Sequence, residues 1–217
     1  MIRLIFLGAP GSGKGTQAKR LAQKFDLDHI STGDILRDAI KAQTQLGKMA
    51  RTFMDAGELV PDNVVLGMIK EELTKRCKGF IFDGFPRTMA QAEGLDKILK
   101  ELGIQISSVV NLEIADSLIV KRLEARRLCR NCGQEYNLET KPPKVEGVCD
   151  LCGGELYKRP DDTPEVIVNR LSVYHQKTRP IEEFYRSRGL LVQIDGSRGF
   201  DEVSDSIEAV VEKNDSV

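Results

Sequence analysis

The chain has 217 residues, 41% of them hydrophobic, with 32 basic residues against 33 acidic ones and a net charge of −1. That length suits one large α/β domain with insertions, able to bury a sizeable core. The composition excludes a disordered chain, the balanced charge argues against bulk nucleic-acid binding, and no apolar run is long enough to span a bilayer.

Ile2 to Leu7 is an apolar run bounded by turn residues and predicts a buried strand. Gly8-Ala9-Pro10-Gly11 follows too early for the apolar core of a secretion signal, so none is expected. Lys14 to Phe25 predicts a helix, with Ala18, Leu21, Ala22 and Phe25 on one face. Periodicity leaves open whether His29-Ile30 adds a short strand. Ser31, with Asp34 three places on, reads as a helix cap, and short helices should run to about Ala56. Pro61 opens another helix that ends near Lys75. Phe80 to Phe82 predicts a second strand ending at Asp83, Val109 to Leu112 a third, and Leu190 to Ile194 a fourth. Helical patterns cover Gln91 to Leu102, Asp116 to Leu128 and Pro164 to Arg186, and the polar tail from Glu212 should fray. Short apolar strands alternating with amphipathic helices argue for a parallel sheet covered on both faces. The stretch from about Cys129 to Asp162 breaks the pattern, being rich in Gly, Pro, Cys and charge, and looks like a small inserted domain.

Gly8-Ala9-Pro10-Gly11-Ser12-Gly13-Lys14-Gly15-Thr16 joins the first strand to the first helix, which is the context of a phosphate-binding loop. Its glycines let backbone N–H groups wrap phosphate oxygens, the helix N-terminus adds a positive dipole end, and Lys14 adds a mobile charge. The bland alternative, a Gly-rich turn with a surface lysine, does not require a nine-residue run in this context. Gly15 stands where most such loops place the magnesium-ligating Ser or Thr, and Thr16 comes one place later. Waters are therefore expected to hold the ion.

The variant Gly-x-Pro-Gly-x-Gly-Lys-Gly-Thr resembles that of nucleoside monophosphate kinases. Ser31-Thr32-Gly33-Asp34 with Arg37, and Asp83-Gly84-Phe85-Pro86-Arg87 with Gln91, are similar to their monophosphate-binding motifs. Arg122, Arg126, Arg159 before Asp161-Asp162, and Arg170 fall where adenylate kinases carry theirs. From Ile2 to about Ala209 the chain resembles the long-lid, zinc-binding adenylate kinases. The resemblance implies a three-layer α/β P-loop fold with a central parallel five-stranded sheet. It divides the chain into a core (1–30, 61–125 and 164–217), an AMP-binding segment (31–60) and a zinc-binding lid (126–163).

The resemblance also implies roles. Gly11, Ser12, Gly13, Lys14, Gly15 and Thr16 hold the ATP phosphates. Arg126, Glu135 and Tyr136 face ATP from the lid, and Arg198 lies by the ATP adenine through its backbone. Thr32, Arg37, Glu58, Leu59, Val60, Gly84, Phe85, Pro86, Arg87 and Gln91 form the AMP site, with Gln91 reading the adenine edge and the Phe85–Pro86 bond cis. Arg159 and Arg170 reach the phosphates in transit. Asp83 orients water on magnesium. The implied reaction is ATP + AMP ⇌ 2 ADP, with Mg2+ accompanying ATP.

The chemistry asks for such residues independently. Phosphoryl transfer needs in-line positioning and cations on the equatorial oxygens, and arginine supplies a permanently charged fork. On spacing alone Arg122 and Arg126 share one face of the expected helix, which is more often a solvated face. His29, His175 and Cys77 are read as structural. Cys129-x2-Cys132, sixteen residues, then Cys149-x2-Cys152 has the spacing of a tetrahedral zinc site, structural because four thiolates fill the tetrahedron. Without a secretion signal this pattern favours metal over disulfides and a cytoplasmic location. The expected partners are ATP, AMP and ADP, with no nucleic acid or membrane, for a chain acting as a monomer. Another nucleoside monophosphate kinase or a GTP:AMP phosphotransferase is the alternative. A switch GTPase is disfavoured because no Asn-Lys-x-Asp motif occurs.

Overall fold

A computed structural model describes residues 1–75 and 78–215. Five parallel strands form the centre: β1 (Arg3–Gly8), β2 (Asp28–Ser31), β3 (Phe80–Asp83), β4 (Ser108–Glu113) and, last along the chain, β8 (Leu191–Asp195). Their order across the sheet is β2-β3-β1-β4-β8. Alternate residues of one strand go to opposite faces. Ile5 and Leu7 join one apolar cluster and Leu4 and Phe6 the other, which is why the strands read as continuous apolar runs. Helices α4 (Asp62–Thr74), α5 (Met89–Glu101) and α8 (Ile181–Arg186) supply Ile69, Leu95 and Tyr185 to the first cluster. Helices α1 (Lys14–Phe25) and α9 (Phe200–Asp215) supply Leu21 and Ile207 to the second.

Helices α2 (Thr32–Lys41) and α3 (Gln45–Asp55) stand together beyond the end of β2. Ser31 caps α2 by accepting from Asp34 N, 3.2 Å, and Thr44 caps α3 by accepting from Gly47 N, 3.1 Å. Helix α6 (Asp116–Glu124) leads into a second sheet, antiparallel, made of β5 (Arg126–Cys129), β6 (Glu135–Asn137) and β7 (Leu156–Tyr157) in the order β6-β5-β7. A 3-10 turn (Pro160–Asp162) returns the chain to α7 (Pro164–Val173).

Several expectations are corrected. The helix expected to run from Asp116 to Leu128 stops at Glu124, because Arg126 to Leu128 pair with Glu135 to Asn137 as strand. Arg122 and Arg126 therefore do not share a helix face. The helix expected over Pro164 to Arg186 is broken by a π-helical turn (Tyr174–Thr178) and at Pro180. Helix α5 starts at Met89 rather than Gln91, capped by Thr88. His29-Ile30 is part of β2. The tail expected to fray from Glu212 continues as helix to Asp215, anchored upstream by Val203, Ile207 and Val211 in the core. Cys77 lies outside the described residues.

The α2–α3 pair is tight enough to test. A Cβ added at Gly47 would lie 2.0 Å from the Ala39 carbonyl oxygen, a backbone atom that cannot swing away. Gly47→Ala should therefore lower the unfolding free energy by about 1–3 kcal/mol, the usual cost of overpacking. An unchanged denaturation midpoint and slope would show that the two helices do not meet as described.

Candidate active site

The site gathers at the carboxyl ends of the central strands, where open α/β sheets place ligands. After β1 the chain wraps through Pro10 to Gly13, and Gly13 enters α1 with φ 95°, a left-handed conformation that favours glycine. The Ser12 N–H donates to Ala9 O, 3.1 Å, closing the loop. Lys14 is not the exposed loop residue the sequence suggests. It is half-buried, and its ammonium donates to Ala9 O, 3.0 Å. Burial pushes its pKa down to about 7, Asp83 opposes this, and Arg87, Arg170 and Arg126 add to it.

Asp83 ends β3 beside this loop. Burial alone would raise its carboxyl, but His29 and the Lys14 ammonium outweigh that and hold it below the ordinary carboxylate range. His29 Nε2 lies 3.3 Å from Asp83 Oδ2, close but without hydrogen-bond alignment. A Cβ at Gly15 would sit 3.1 Å from Asp83 Oδ2, so glycine there leaves the carboxylate room. The Thr16 hydroxyl is engaged elsewhere, donating to Glu135 Oε2 of β6 at 3.0 Å. Of the two, Asp83 is the group free to hold a magnesium ion's water shell, which fits that ion's preference for water ligands.

The second wall is an open cleft. It brings together Thr32, Arg37, Glu58, Leu59, Val60, Gly84, Arg87, Gln91 and Arg170, as expected from the motifs. Asp161, named in the sequence only as a landmark after Arg159, also lines it, as do Leu36, Met54, Gly57 and Val65, which were not singled out. Leu36 follows Thr32 by one helical turn, a signal that could have found it. The Thr32 hydroxyl donates to Gly84 O, 2.9 Å, fastening α2 to the loop after β3. The Phe85–Pro86 bond is cis. Gln91 is buried, its Oε1 accepting from Arg87 N at 2.7 Å and its Nε2 donating to Asp62 Oδ1 at 2.8 Å, which leaves one proton and one lone pair free. The Glu58 side chain turns outward, accepting from Asn169 Nδ2 at 3.4 Å and lying 3.7 Å from Lys177.

The arginines carry most of the local charge. Arg126 grips Asp162 bidentately, 2.6 and 2.8 Å, and Arg170 reaches the same fully buried carboxylate at 3.2 Å and Asp161 at 3.0 Å. Arg159 pairs with Glu135, 3.1 Å, and Arg37 with Asp34, 2.6 Å. Burial would raise Asp34, yet the Arg37 guanidinium brings it down to about 2. Arg87 makes no ion pair among the described residues; its Nε donates to Gly84 O, 2.6 Å. Burial first, then Arg170, pushes it down to about 10. Burial, then Arg126 and Arg37, does the same to Arg159. Cations this crowded and screened from water favour an anion between them.

Other expected residues sit differently. Arg122 Nη1 donates to Ser12 O at 3.4 Å, a long contact behind the loop. The Tyr136 hydroxyl accepts from Asp150 N, 2.8 Å, and lies 3.5 Å from Cys149 Sγ, so its ring belongs to the interior of the second sheet rather than the cleft. Arg198 is exposed and donates to Ser206 Oγ, 3.1 Å, on a loop whose Gly196 packs against Ser12 O. His175 pairs with Asp116 at 2.8 Å on the surface.

Cys129 and Cys149 head two matched turns. Gly133 N donates to Cys129 O and Gly153 N to Cys149 O, and each cysteine N–H donates five residues on, to Gln134 O or Gly154 O. The four sulfurs of Cys129, Cys132, Cys149 and Cys152 lie within 4.8 Å of one another, unpaired as disulfides. Across a zinc tetrahedron with bonds of ~2.3 Å, sulfurs stand about 3.8 Å apart. The 3.4 and 3.6 Å contacts, Cys129–Cys152 and Cys132–Cys149, suit that ion.

A phosphate loop facing an arginine-lined cavity on a parallel sheet defines a nucleotide phosphotransferase of the P-loop class. The family model described as adenylate kinase matches residues 6–190. A protein named adenylate kinase from Thermodesulfovibrio yellowstonii is 53% identical over 214 residues, 98% of this chain and 100% of its own. Those from Archaeoglobus fulgidus and Caldicellulosiruptor bescii are 52% and 51% identical, over 98% and 97% of this chain and 99% and 97% of theirs. The chain belongs to the adenylate kinase family.

The Lys14 environment has a measurable consequence. At pH 8 a Lys14 with pKa near 7 is mostly neutral, and phosphates arriving beside it raise that pKa. ATP binding at pH 8 should therefore take up a proton, approaching one per site, and at pH 6 it should take up almost none through this group. Calorimetry in two buffers of different ionisation enthalpy reads the uptake, and Lys14→Met should remove it. Equal uptake by the variant would sink the assignment.

Proposed function

We propose that this chain moves a phosphoryl group reversibly from ATP to AMP, giving two ADP. The observation that carries the reading is one cleft that Lys14, Arg87 and Arg170 line together. The loop that cradles donor phosphates and the guanidiniums of the acceptor wall thus converge on one space. A phosphoryl group in transit carries charge on its equatorial oxygens, and fixed cations at that point stabilise it without reorganising.

Residues Gly11 to Thr16 hold the ATP phosphates through N–H groups and Lys14. Arg126, Arg159 and Glu135 come down from the lid, while Tyr136 and Arg198 contribute to the ATP side through backbone. Thr32, Arg37, Arg87 and Gln91 hold AMP, with Glu58, Leu59 and Val60 around its base and Gly84, Phe85 and Pro86 shaping the loop. Arg170 and Arg159 meet the transferred group. Asp83 holds waters of the magnesium that accompanies ATP and neutralises phosphate charge. No side chain is needed as general base. Segment 31–60 closes on AMP and 126–163 on ATP, over a core of 1–30, 61–125 and 164–217, excluding water that would otherwise accept the phosphoryl group. Adenylate kinase lids are themselves standard examples of such closure.

We read the four-cysteine cluster as a structural zinc site, since four thiolates leave no open position for catalysis. Unpaired thiols favour a reducing compartment, and we place the enzyme in the cytoplasm as a monomer. Among the described residues no helix is long and apolar enough to cross a membrane.

Three measurements test this. In a coupled assay with ATP and a panel of monophosphates, AMP should be the preferred acceptor and magnesium required. Turnover with GMP or UMP and none with AMP, or a preference for GTP as donor, would overturn it in favour of a related phosphotransferase. Metal analysis of chelator-free protein should find about one zinc per chain. Stripping the metal should expose the stretch between Cys129 and Cys152 to protease first, while the core survives, because metal binding there is folding energy for the lid. Zinc-free native protein, or first cuts within the core, would refute the staple.

A further inference from the structure

Helix α7 carries Arg170 on one side of the cleft, and the loop after β3 carries Arg87 on another. The two guanidiniums repel: after burial, Arg170 is the strongest influence disfavouring the charged form of Arg87. Asp83 and Asp161 offset this in part from beyond ion-pair distance, and Arg87 makes no ion pair among the described residues. Something must hold its loop against α7 without spending the positive charge a phosphoryl group requires.

The π-helical turn after α7 does this. The Arg179 N–H donates to Tyr174 O, 2.9 Å, spanning five residues where an α-helix spans four. The extra residue turns everything after it by about 100°, the angular share of one helical residue. Thr178 thereby takes the direction that an unbroken helix would give Lys177. Its hydroxyl, on a residue only 8% exposed, donates to Arg87 O at 2.9 Å. Lys177 swings instead to within 3.7 Å of Glu58. The Arg87 backbone is then fixed at both ends, its N–H on Gln91 Oε1 and its carbonyl on Thr178. A neutral hydroxyl leaves the guanidinium charge intact, whereas a carboxylate in its place would compete with phosphate for it.

We propose that Thr178 is a positioning residue for phosphoryl transfer: its hydroxyl ties the Arg87 backbone to the helix that bears Arg170, so both guanidiniums address the same phosphate. The proposal rests on the ATP–AMP reading above. T178V keeps the shape and removes the hydroxyl, and T178S keeps the hydroxyl. T178V leaves the Arg87 carbonyl without its donor, and kcat/KM for AMP should fall about tenfold. Thr178 lines the same cavity as Lys14, but valine keeps that wall's shape and the bond lost is to the Arg87 loop, so the KM for ATP should stay within about twofold. T178S should recover most of the loss, to within about threefold of the unaltered protein.

All rates are taken below the melting transition of every variant, so that folded fractions are equal. A T178V protein with unchanged AMP kinetics overturns the assignment. So does an equal rise in the KM values of ATP and AMP, or a loss that T178S shares in full, since both mark general damage to packing. An unaltered protein that fails to turn over ATP with AMP would overturn the functional reading itself, and the two failures are distinct.

Discussion

The structure depends on holding several cations close together in a space screened from water. Lys14, Arg87, Arg126, Arg159 and Arg170 come from different parts of the chain, and folding brings them together against their repulsion. Two solutions coexist. Arg126 and Arg170 share the fully buried Asp162, which satisfies the guanidinium forks. A buried pair of this kind gives little net stability relative to apolar packing, yet removing one partner strands a charge at a cost of several kcal/mol. It fixes geometry more than it adds stability. Arg87 is held the other way, by its backbone and by neutral acceptors, and keeps its charge for an incoming anion.

The parallel sheet makes this affordable. Its strands are buried on both faces, so the loops at their carboxyl ends start from positions that packing has already set. The phosphate loop follows β1, Asp83 ends β3, and Ser31 at the end of β2 caps the helix that carries Arg37. Register then does precise work: Ser31 pairs with Asp83 and Phe6 with Asp83 across adjacent strands, so three site-bearing strand ends lie side by side.

What could be read from the sequence follows from this division. The β1 strand, α1 and the phosphate loop form one local unit, and their pattern is complete within a short window. The helix α1 has the predicted bounds, Lys14 to Phe25. Arg126 was misread as helical because its strand is defined by partners at Glu135 to Asn137 and Leu156 to Tyr157, beyond any local window. Asp162 was visible as a landmark but without a role, since its burial exists only once Arg126 and Arg170 meet. The resemblance places Tyr136 on the ATP side of the lid without saying where its ring goes, and alternation along β6 sends the ring inward, so only its backbone is left to face that side. The π turn had no legible signal at all, because one added residue in a helix leaves the amphipathic pattern almost unchanged over so short a span.

The segment 126–163, which we propose is a lid, shows how a small module can carry two of these cations without a core of its own. Its buried cluster is only Cys129, Tyr136, Cys149 and Leu156, while Leu138, Val145, Val148 and Leu151 remain exposed. Apolar collapse that slight cannot hold a segment of this length in one shape. The two cysteine turns are fastened by matched backbone bonds around one metal-sized space, and a metal bound there would supply the missing constraint. Rigidity matters here because Arg159 and Glu135 must arrive over the phosphate loop together. Arg159 is paired with Glu135, and Glu135 in turn accepts from Thr16. A loose lid would bring each group separately and pay an ordering entropy for every one. On the proposed reading a stapled lid would meet that cost once, closing as a unit, and so deliver several charges to one phosphoryl group for a single conformational cost.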